Sequence, residues 1–391
     1  MWSHLRRFYL TTLAALRYSG HIGYHAFGFL SRIFPPFIRF PSSNIEKTTD
    51  SEDNGTSTAI CDTYTIQLHP QHDLKLIGIG ASAQVYEVDD QIVLKSSWVF
   101  EKPGSRATEN DRWHYASDTL FQSNKLIQNE RTVLQLLQRR PHPHIIKAID
   151  ADQSEGIYLR RYHSLSENET PAQLHRIRWY RDLTSALCHI HSLGIAHADI
   201  RIDNVLFEHD RVILCDFSAT SPLGQSNPVF PDAPLPVNGP SSTLSEATDM
   251  FAMGSFIFQL EHGAKPELVV DSNGTLALPK IQTDHPILDT IIRKAWLGQY
   301  DRTSEMLEHI DSIGINGASC AHDTGFCSGL AESLRVRIRK WRKCRENKFG
   351  CVLNGLLSDE QLQALADCYG LDKDADLQFN SHRTHLTQTD V

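Results

Sequence analysis

The chain has 391 residues, of which 40% are hydrophobic and 22% are charged, a balance typical of soluble globular proteins with two or three domain-sized units. Its net charge of −9 argues against a dedicated nucleic-acid-binding protein, because such proteins neutralise phosphates with basic surfaces. Eight cysteines without a C-x-x-C pair indicate reduced intracellular thiols rather than a disulfide framework.

The first 60 residues differ in composition from the rest. Residues 1–45 contain five arginines and no acidic residue, so they carry +5 while the remainder carries −14. Such a leader is compatible with mitochondrial targeting or with weak contact with a membrane or organelle surface, but an untargeted leader on a cytoplasmic protein is the favoured interpretation. Residues 41–60 hold almost no large apolar side chains, which predicts a disordered linker.

From Asp73 onward the pattern becomes that of a folded domain. The stretch LKLIGIGASAQVYEVDDQIVLK predicts two or three strands separated by a glycine turn and an acidic hairpin tip. NERTVLQLLQRR is typical of a helix that stops before a proline. YRDLTSALCHIHSLG predicts a second helix that ends at Gly194, and NVLF and RVILCDF after it predict a hairpin.

The C-terminal third has three distinct parts. Helical patterns dominate from Ser245 to about Ile310. Residues 331–350 hold eight basic and two acidic residues, and their spacing fits either a strand or a helix. The favoured interpretation of this basic segment is a solvated surface, and the alternative is binding to an anionic surface or an acidic partner. Ser358 with Gln361 three residues on predicts a capping box and a short final helix.

Several residues of the folded part could carry chemistry. GIGASAQVY after a strand would let backbone N–H groups approach a phosphate, although hairpins use the same glycines for geometry alone. Lys95 closes the strand IVLK, and Glu130 on the next helix is a candidate ion-pair partner. HADIRIDNVLF places Asp199 five residues before Asn204, and Asp216 follows twelve residues later. Each of these residues taken singly also fits a structural role.

The order and spacing of these elements resemble the protein kinase superfamily. The resemblance covers about residues 73–312 and includes the weaker markers HPHIIK, TDMFAMG and YDRTSEMLEHI. It implies an α+β, bilobal kinase-like fold with a small β-rich N-lobe that carries one glutamate-bearing helix, and a larger helical C-lobe. The expected divisions are a leader and linker (1–60), the N-lobe (61–162), the C-lobe (163–312) and a C-terminal extension with the basic segment and a short helix (313–391).

The resemblance also implies catalytic roles. Asp199 would accept or orient the proton of a substrate hydroxyl, and Arg201 would contact the transferring phosphate. Lys95, ion-paired with Glu130, would bridge the phosphates of ATP.

The same resemblance implies binding roles for magnesium and ATP. Asn204 and Asp216 would hold Mg²⁺. Leu159 would be the gatekeeper beside adenine, and residues 160–162 the hinge. The residues expected to bind ATP are Gly78, Gly80, Ala83, Val85, Lys95, Leu159, Arg160 and Tyr162.

The chain departs from the kinase pattern at several positions. Ala83 replaces the third loop glycine, Ala198 replaces the arginine before the catalytic aspartate, and Ser218 replaces the glycine of the D-F-G triplet. APL at 233–235 stands where A-P-E is usual. These changes affect regulation and substrate anchoring more than phosphate chemistry.

The favoured function is therefore a divergent but active serine/threonine protein kinase of the non-RD type, which uses ATP and Mg²⁺ on a protein substrate. One alternative is a pseudokinase scaffold that binds nucleotide without efficient transfer. The other is a small-molecule phosphotransferase of the aminoglycoside or choline kinase type, which shares the H-x-D-x-x-x-x-N pattern.

Overall fold

A computed structural model of the chain describes residues 67–372, apart from 81–82, 121–126, 166–170, 209, 228–237, 271–275 and 315–327. The arginine-rich leader and the APL triplet lie outside the described residues. Within the described part, every helix is too short or too polar to cross a membrane.

The small lobe contains a five-stranded antiparallel sheet with the strand order β1-β2-β3-β5-β4. Two helices lie between β3 and β4 in the chain. The elements are β1 (Lys75–Ile79), β2 (Gln84–Glu87), β3 (Ile92–Ser96), α1 (Glu109–Leu120), α2 (Ile127–Arg139), β4 (Ala148–Asp150) and β5 (Ile157–Arg160). The predicted strands β1 to β3 and helix α2 are confirmed. Helix α1 was not predicted, because its buried side is confined to its last six residues.

Strand β3 is buried along its whole length, because the sheet is covered on both faces. Val93 and Leu159 belong to the same apolar cluster as the buried side of α2. Ile92, Leu94 and Tyr158 form a second cluster on the opposite face, together with residues of the C-terminal extension. Burial on two faces explains why Ile92, Val93 and Leu94 are all apolar instead of alternating with polar residues.

The large lobe is mainly helical, which confirms the expected α+β, two-lobed architecture. Its elements are α3 (Gln173–Ser192), β6 (Ile195–Ala196), β7 (Val205–Glu208), β8 (Arg211–Leu214), β9 (Ser221–Pro222), α4 (Glu246–His262), β10 (Val269–Val270), β11 (Leu276–Ala277), α5 (Pro286–Trp296) and α6 (Thr303–Asp311). Strands β7 and β8 form the predicted hairpin. Gly194 has φ of 77°, as expected of a glycine that ends a helix.

Helices α4, α5 and α6 confirm that helices dominate residues 245–310, with a short interruption. Strands β10 and β11 pair there as an antiparallel hairpin. The sequence does contain the signal for it, because two β-branched residues precede the Asn273-Gly274 dipeptide, which favours hairpin turns.

The described part of the C-terminal extension, residues 313–314 and 328–372, contains two helices, α7 (Ser328–Phe349) and α8 (Asp359–Tyr369). The basic segment is therefore a helix rather than a strand, and its Leu334 and Ile338 are buried against the outer face of the small-lobe sheet. Helix α8 starts with the predicted capping box at Ser358. Its Leu362 and Ala366 pack with Leu120 of α1, so both helices of the extension dock on the small lobe.

The expectation of a solvated basic surface was wrong for the three arginines of α7 that are buried or half-buried. Each binds a carboxylate or a backbone carbonyl of the chain, while other basic side chains of the helix, such as Arg339 and Lys340, remain exposed. The contacts are Arg337 with Asp89 and Asp90, Arg342 with Glu155, and Arg345 with the carbonyl oxygens of His72 and Val352.

Candidate active site

Three charged side chains from distant parts of the chain meet between the lobes. Lys95 Nζ, at the end of β3, lies 2.7 Å from Glu130 Oε2 of α2 and 2.8 Å from Asp216 Oδ1, which follows β8. The side chains of Lys95 and Glu130 are 8% and 2% exposed, whereas that of Asp216 is 28% exposed. One lysine therefore links a buried carboxylate to a more accessible one.

The two carboxylates that share Lys95 differ in their proton affinity. Burial alone would raise the pKa of Asp216, but Lys95 and the hydrogen bonds from Ser218 outweigh burial and hold this pKa well below its ordinary value. For Glu130, burial dominates and raises the pKa, with Lys95 opposing. Burial alone would lower the pKa of Lys95, but the two carboxylates outweigh it and raise this pKa above its ordinary value. At neutral pH, Lys95 is therefore a cation and Asp216 an anion.

Asp199 and Asn204 face each other across the loop between β6 and β7. Asn204 Nδ2 donates to the backbone carbonyl of Asp199 at 2.8 Å and to its Oδ2 at 2.9 Å. The amide oxygen of Asn204 is therefore left for another partner. Burial raises the pKa of Asp199, and the nearby charges act in opposite directions, Arg201 lowering the pKa and Asp216 raising it.

A buried carboxylate of the central helix α4 holds the backbone of this loop. Asp249 accepts hydrogen bonds from the N–H groups of His197, at 2.7 Å, and Ala198, at 2.9 Å, and its Oδ2 lies 2.9 Å from His191 Nε2. His197 is fully buried, and its ring centroid lies 4.9 Å from that of Phe217. His197 thus packs inside the lobe, as expected of a structural histidine.

Arg201, which lies near Asp199, binds a second carboxylate. Its Nε donates to Asp203 Oδ2 at 3.0 Å. Burial alone would lower the pKa of Arg201, but Asp199 and Asp203 outweigh it and raise this pKa. The guanidinium expected to reach a transferring phosphate is thus shared with a neighbouring carboxylate.

The glycine-rich turn lies between β1 and β2 in the chain. The N–H of Gly80 donates to the carbonyl of Ala83 at 2.8 Å, Gly78 lies in β1, and Val85 pairs with Lys95 across β2 and β3. Trp98 Nε1 donates to the carbonyl of Gly80 at 3.1 Å. Sequence reasoning missed Trp98, because no local pattern links it to a residue 18 positions earlier.

The segment predicted to hold adenine begins in β5. Leu159 is buried and pairs with Val93 of β3. The backbone N–H groups of Arg160 and Arg161 donate to carbonyl oxygens elsewhere in the small lobe, at 3.0 and 2.8 Å. Recognition of a base by this segment would therefore use backbone groups other than these two N–H groups.

Two further residues that sequence reasoning missed surround Asp216. Ser218 Oγ donates to Asp216 Oδ1 at 2.7 Å. Asn129, next to Glu130 on α2, donates to the carbonyl oxygens of Ser218 and Thr220 at 3.0 and 2.9 Å. Sequence spacing carries no signal for Asn129, because these contacts join positions about 90 residues apart.

The side chains of Asn204 and Asp216 suit a small divalent cation. Both offer oxygen ligands, which Mg²⁺ prefers. The amide nitrogen of Asn204 is bound to Asp199, and both Lys95 and Ser218 contact Oδ1 of Asp216. A carbonyl oxygen and an ionised, partly exposed carboxylate are the donors that a magnesium site requires.

Comparisons with known proteins show which proteins the chain resembles. A family model described as protein kinase domain matches residues 71–312. The serine/threonine-protein kinase PrkC of Bacillus subtilis (strain 168) is 24% identical over 54% of this chain and 33% of its own length.

Two eukaryotic relatives match a smaller part. The hormonally up-regulated neu tumor-associated kinase of Mus musculus is 26% identical over 35% of this chain and 22% of its own length. The calcium/calmodulin-dependent protein kinase kinase cmkC of Emericella nidulans is 27% identical over 32% of this chain and 26% of its own length. The chain spans about a third or less of the length of these three relatives.

Proposed function

The chain belongs to the protein kinase family, and from this premise we propose that it transfers the γ-phosphate of ATP to serine or threonine hydroxyls of a protein substrate, with Mg²⁺ as cofactor. The serine/threonine kinase PrkC among its relatives supports this acceptor class. The paired charges between the lobes support activity rather than mere nucleotide binding.

The observation that carries the proposal is the contact of Lys95 with both Glu130 and Asp216, at 2.7 and 2.8 Å. Burying charged groups costs free energy that their mutual attraction only partly returns. Such an arrangement is hard to explain by stability alone, but a fixed cation beside a metal-binding carboxylate is what phosphoryl transfer requires.

Each residue has a defined task in this proposal. Asp199 accepts the proton of the substrate hydroxyl, and Lys95, held by Glu130, binds phosphate oxygens. Asn204 and Asp216 hold Mg²⁺, which neutralises the charge on the phosphates when it is bound.

The test is transfer of labelled phosphate from ATP to a degenerate peptide pool, with and without Mg²⁺. We expect magnesium-dependent labelling of serine or threonine peptides by the parent protein and its loss in the Asp199→Asn variant. ATP binding without transfer would contradict the proposal in favour of a scaffold. Transfer to an aminoglycoside or choline but not to peptides would contradict it in favour of a small-molecule phosphotransferase.

Trp98→Phe should raise the KM for ATP by about threefold to tenfold and leave kcat nearly unchanged, the effect of losing roughly one hydrogen bond. The substitution keeps an aromatic ring but removes the indole N–H that binds the carbonyl of Gly80. Steady-state kinetics at varied ATP would measure both constants, with Trp113→Phe on α1 as the matched control. An unchanged KM would show that this contact does not position the glycine-rich turn.

Activity should not depend on phosphorylation of the segment that follows Asp216. Ala198, which replaces an arginine, is buried in an apolar cluster with Leu244, and its carbonyl accepts a hydrogen bond from Asn238 at 2.7 Å. The neutral side-chain amide of Asn238, rather than a phosphate–arginine pair, thus anchors the segment that follows Asp216 to the loop at Ala198.

Phosphatase treatment tests this expectation. The treated protein is shown to be phosphate-free by its intact mass. Its peptide turnover should stay within about twofold of that of the untreated protein, because the residue directly before Asp199 is not an arginine that could pair with a phosphate. A drop of about tenfold or more with unchanged folding would contradict the expectation.

A further inference from the structure

Ser218 occupies the position at which the chain departs from the D-F-G pattern, and it adds a contact that glycine cannot make. Its Oγ donates to Asp216 Oδ1 at 2.7 Å, and Lys95 Nζ donates to the same oxygen at 2.8 Å. Two donors on one carboxylate oxygen restrict the rotation of that carboxylate. Serine in place of glycine thus restricts the orientation of the Asp216 carboxylate, which is the proposed metal ligand.

The backbone at Asp216 needs such support. Asp216 has φ of 62° and ψ of 76°, in the left-handed region that residues other than glycine seldom adopt. A residue in this region persists when its surroundings hold it there. The short 3-10 turn Phe217–Ala219 follows at once, so any movement of this turn would move Asp216.

Helix α2 holds that turn through two consecutive side chains. Asn129 Nδ2 donates to the carbonyl oxygens of Ser218 and Thr220, at 3.0 and 2.9 Å. Glu130 Oε1 accepts from the N–H of Phe217 at 3.3 Å. The turn is therefore bound to the same helix that places Glu130 beside Lys95.

These contacts link the position of α2 to the position of Asp216. If α2 moved away, the Lys95–Glu130 pair and the two Asn129 hydrogen bonds would be lost together. Conversely, formation of the turn favours α2 in the position seen here. The two lobes are thereby joined at the proposed metal site by the neutral side chain of Asn129 as well as by the ion pair of Lys95 with Asp216.

We propose that Ser218 and Asn129 are positioning residues for phosphoryl transfer, which rests on the proposed function: Ser218 orients the carboxylate of Asp216 for Mg²⁺, and Asn129 locks the following turn to α2. Neither residue needs to touch the substrate. In this proposal, Ser218 in place of glycine holds Asp216 by a side-chain hydrogen bond, and the substitution does not imply a loss of activity.

The first experiment measures how much Mg²⁺ is needed for ATP to bind. Ser218→Gly and Ser218→Ala should raise the Mg²⁺ concentration for half-maximal ATP binding by about tenfold or more, the effect of losing roughly one charge-assisted hydrogen bond. Ser218→Thr keeps the hydroxyl and should restore the parent value. A serine with a merely structural role would change thermal stability without changing the Mg²⁺ requirement, and that result would overturn the role of Ser218.

The second experiment needs neither nucleotide nor metal. Asn129→Ala should increase hydrogen exchange at the backbone amides of residues 217–221 by about tenfold in the nucleotide-free protein, because local opening becomes easier when two hydrogen bonds are lost. Gln128→Ala is the matched control, since Gln128 is the exposed neighbour on the same helix. Equal exchange in the two variants would overturn the role of Asn129.

These results are independent of the peptide assay. If the parent transfers phosphate but the variants keep its Mg²⁺ requirement and exchange rates, the positioning roles fail and the proposed function stands. If the parent binds ATP without transfer but the variants shift as expected, the proposed function fails, and Ser218 and Asn129 position Asp216 for nucleotide binding alone.

Discussion

Asp199→Asn, Lys95→Met and Asp216→Ala are each expected to lower peptide turnover on the order of a hundredfold or more, because phosphoryl transfer depends on positioning and charge stabilisation. Asp199 is the proposed proton acceptor. Lys95 and Asp216, 2.8 Å apart, are the proposed phosphate and metal contacts. Loss of any one leaves the other two without their function.

Double variants distinguish a shared step from separate contributions. When residues act together in one step, removing the first already abolishes their joint contribution, and removing a second costs little more. Lys95→Met combined with Asp216→Ala should therefore be little worse than either change alone. Asp216→Ala should also abolish the stabilisation of the protein by ATP that depends on Mg²⁺, measured as a shift in Tm. Asp311→Asn, at an exposed surface ion pair, is the control, and strictly multiplicative losses would contradict a shared step.

Arg342→Met is expected to lower the free energy of unfolding by about 3 kcal/mol, because it leaves a buried carboxylate without its cation. Glu155 lies before β5 and is 3% exposed. Its Oε1 accepts from Arg342 Nε at 2.6 Å and from the hydroxyl of Tyr158 at 2.6 Å. Glu155 thus depends on helix α7 for its charge partner.

Urea unfolding of matched variants would measure this effect. Arg339→Met is the control, since Arg339 lies on the same helix but pairs with Glu332 at the exposed surface. Adding Glu155→Gln to Arg342→Met should restore part of the lost stability, because a neutral amide costs less to bury than an unpaired carboxylate. Equal stability of Arg342→Met and Arg339→Met would contradict a structural role for this ion pair.

Removal of residues 314–391 should have a larger effect. It would expose Leu94 and Tyr158, which form an apolar cluster with Leu334 and Ile338 of α7. Each large apolar side chain that loses its cover costs about 1.5 to 3 kcal/mol, so the shortened protein should lose its cooperative thermal transition or become insoluble. A stable, active protein ending at residue 313 would show that the extension is dispensable.

Local patterns were sufficient to predict much of the fold and the candidate site. The strands around the glycine-rich turn, helix α2 and the β7–β8 hairpin each have a periodicity or a turn signal within their own residues. Asp199 and Asn204 lie in one short loop, and Asp216 follows the next hairpin. The resemblance of their order and spacing to those of protein kinases implied that these residues share one site.

The docking of α7 could not be predicted in this way. A basic side chain on the surface and one that pairs with a buried carboxylate look the same in a sequence, because the difference lies in the partner. Arg342 finds its buried partner, Glu155, 187 residues earlier in the chain, and Arg337 finds the half-buried Asp89 248 residues earlier. The solvated surface that the basic composition favoured was therefore wrong for these side chains.

The sequence by itself determined the types and order of the residues that could handle phosphate: a strand-ending lysine, a helical glutamate, an aspartate and asparagine in one loop, and a later aspartate. Tertiary structure alone decided that Ser218 and Asn129 hold Asp216, that Trp98 binds the glycine-rich turn, and that α7 covers the small lobe. The reason is physical: the contact of Asn204 with Asp199 joins residues five positions apart in one loop, whereas the contacts of Asn129 and of α7 join segments that are far apart in the chain and meet only when the protein folds.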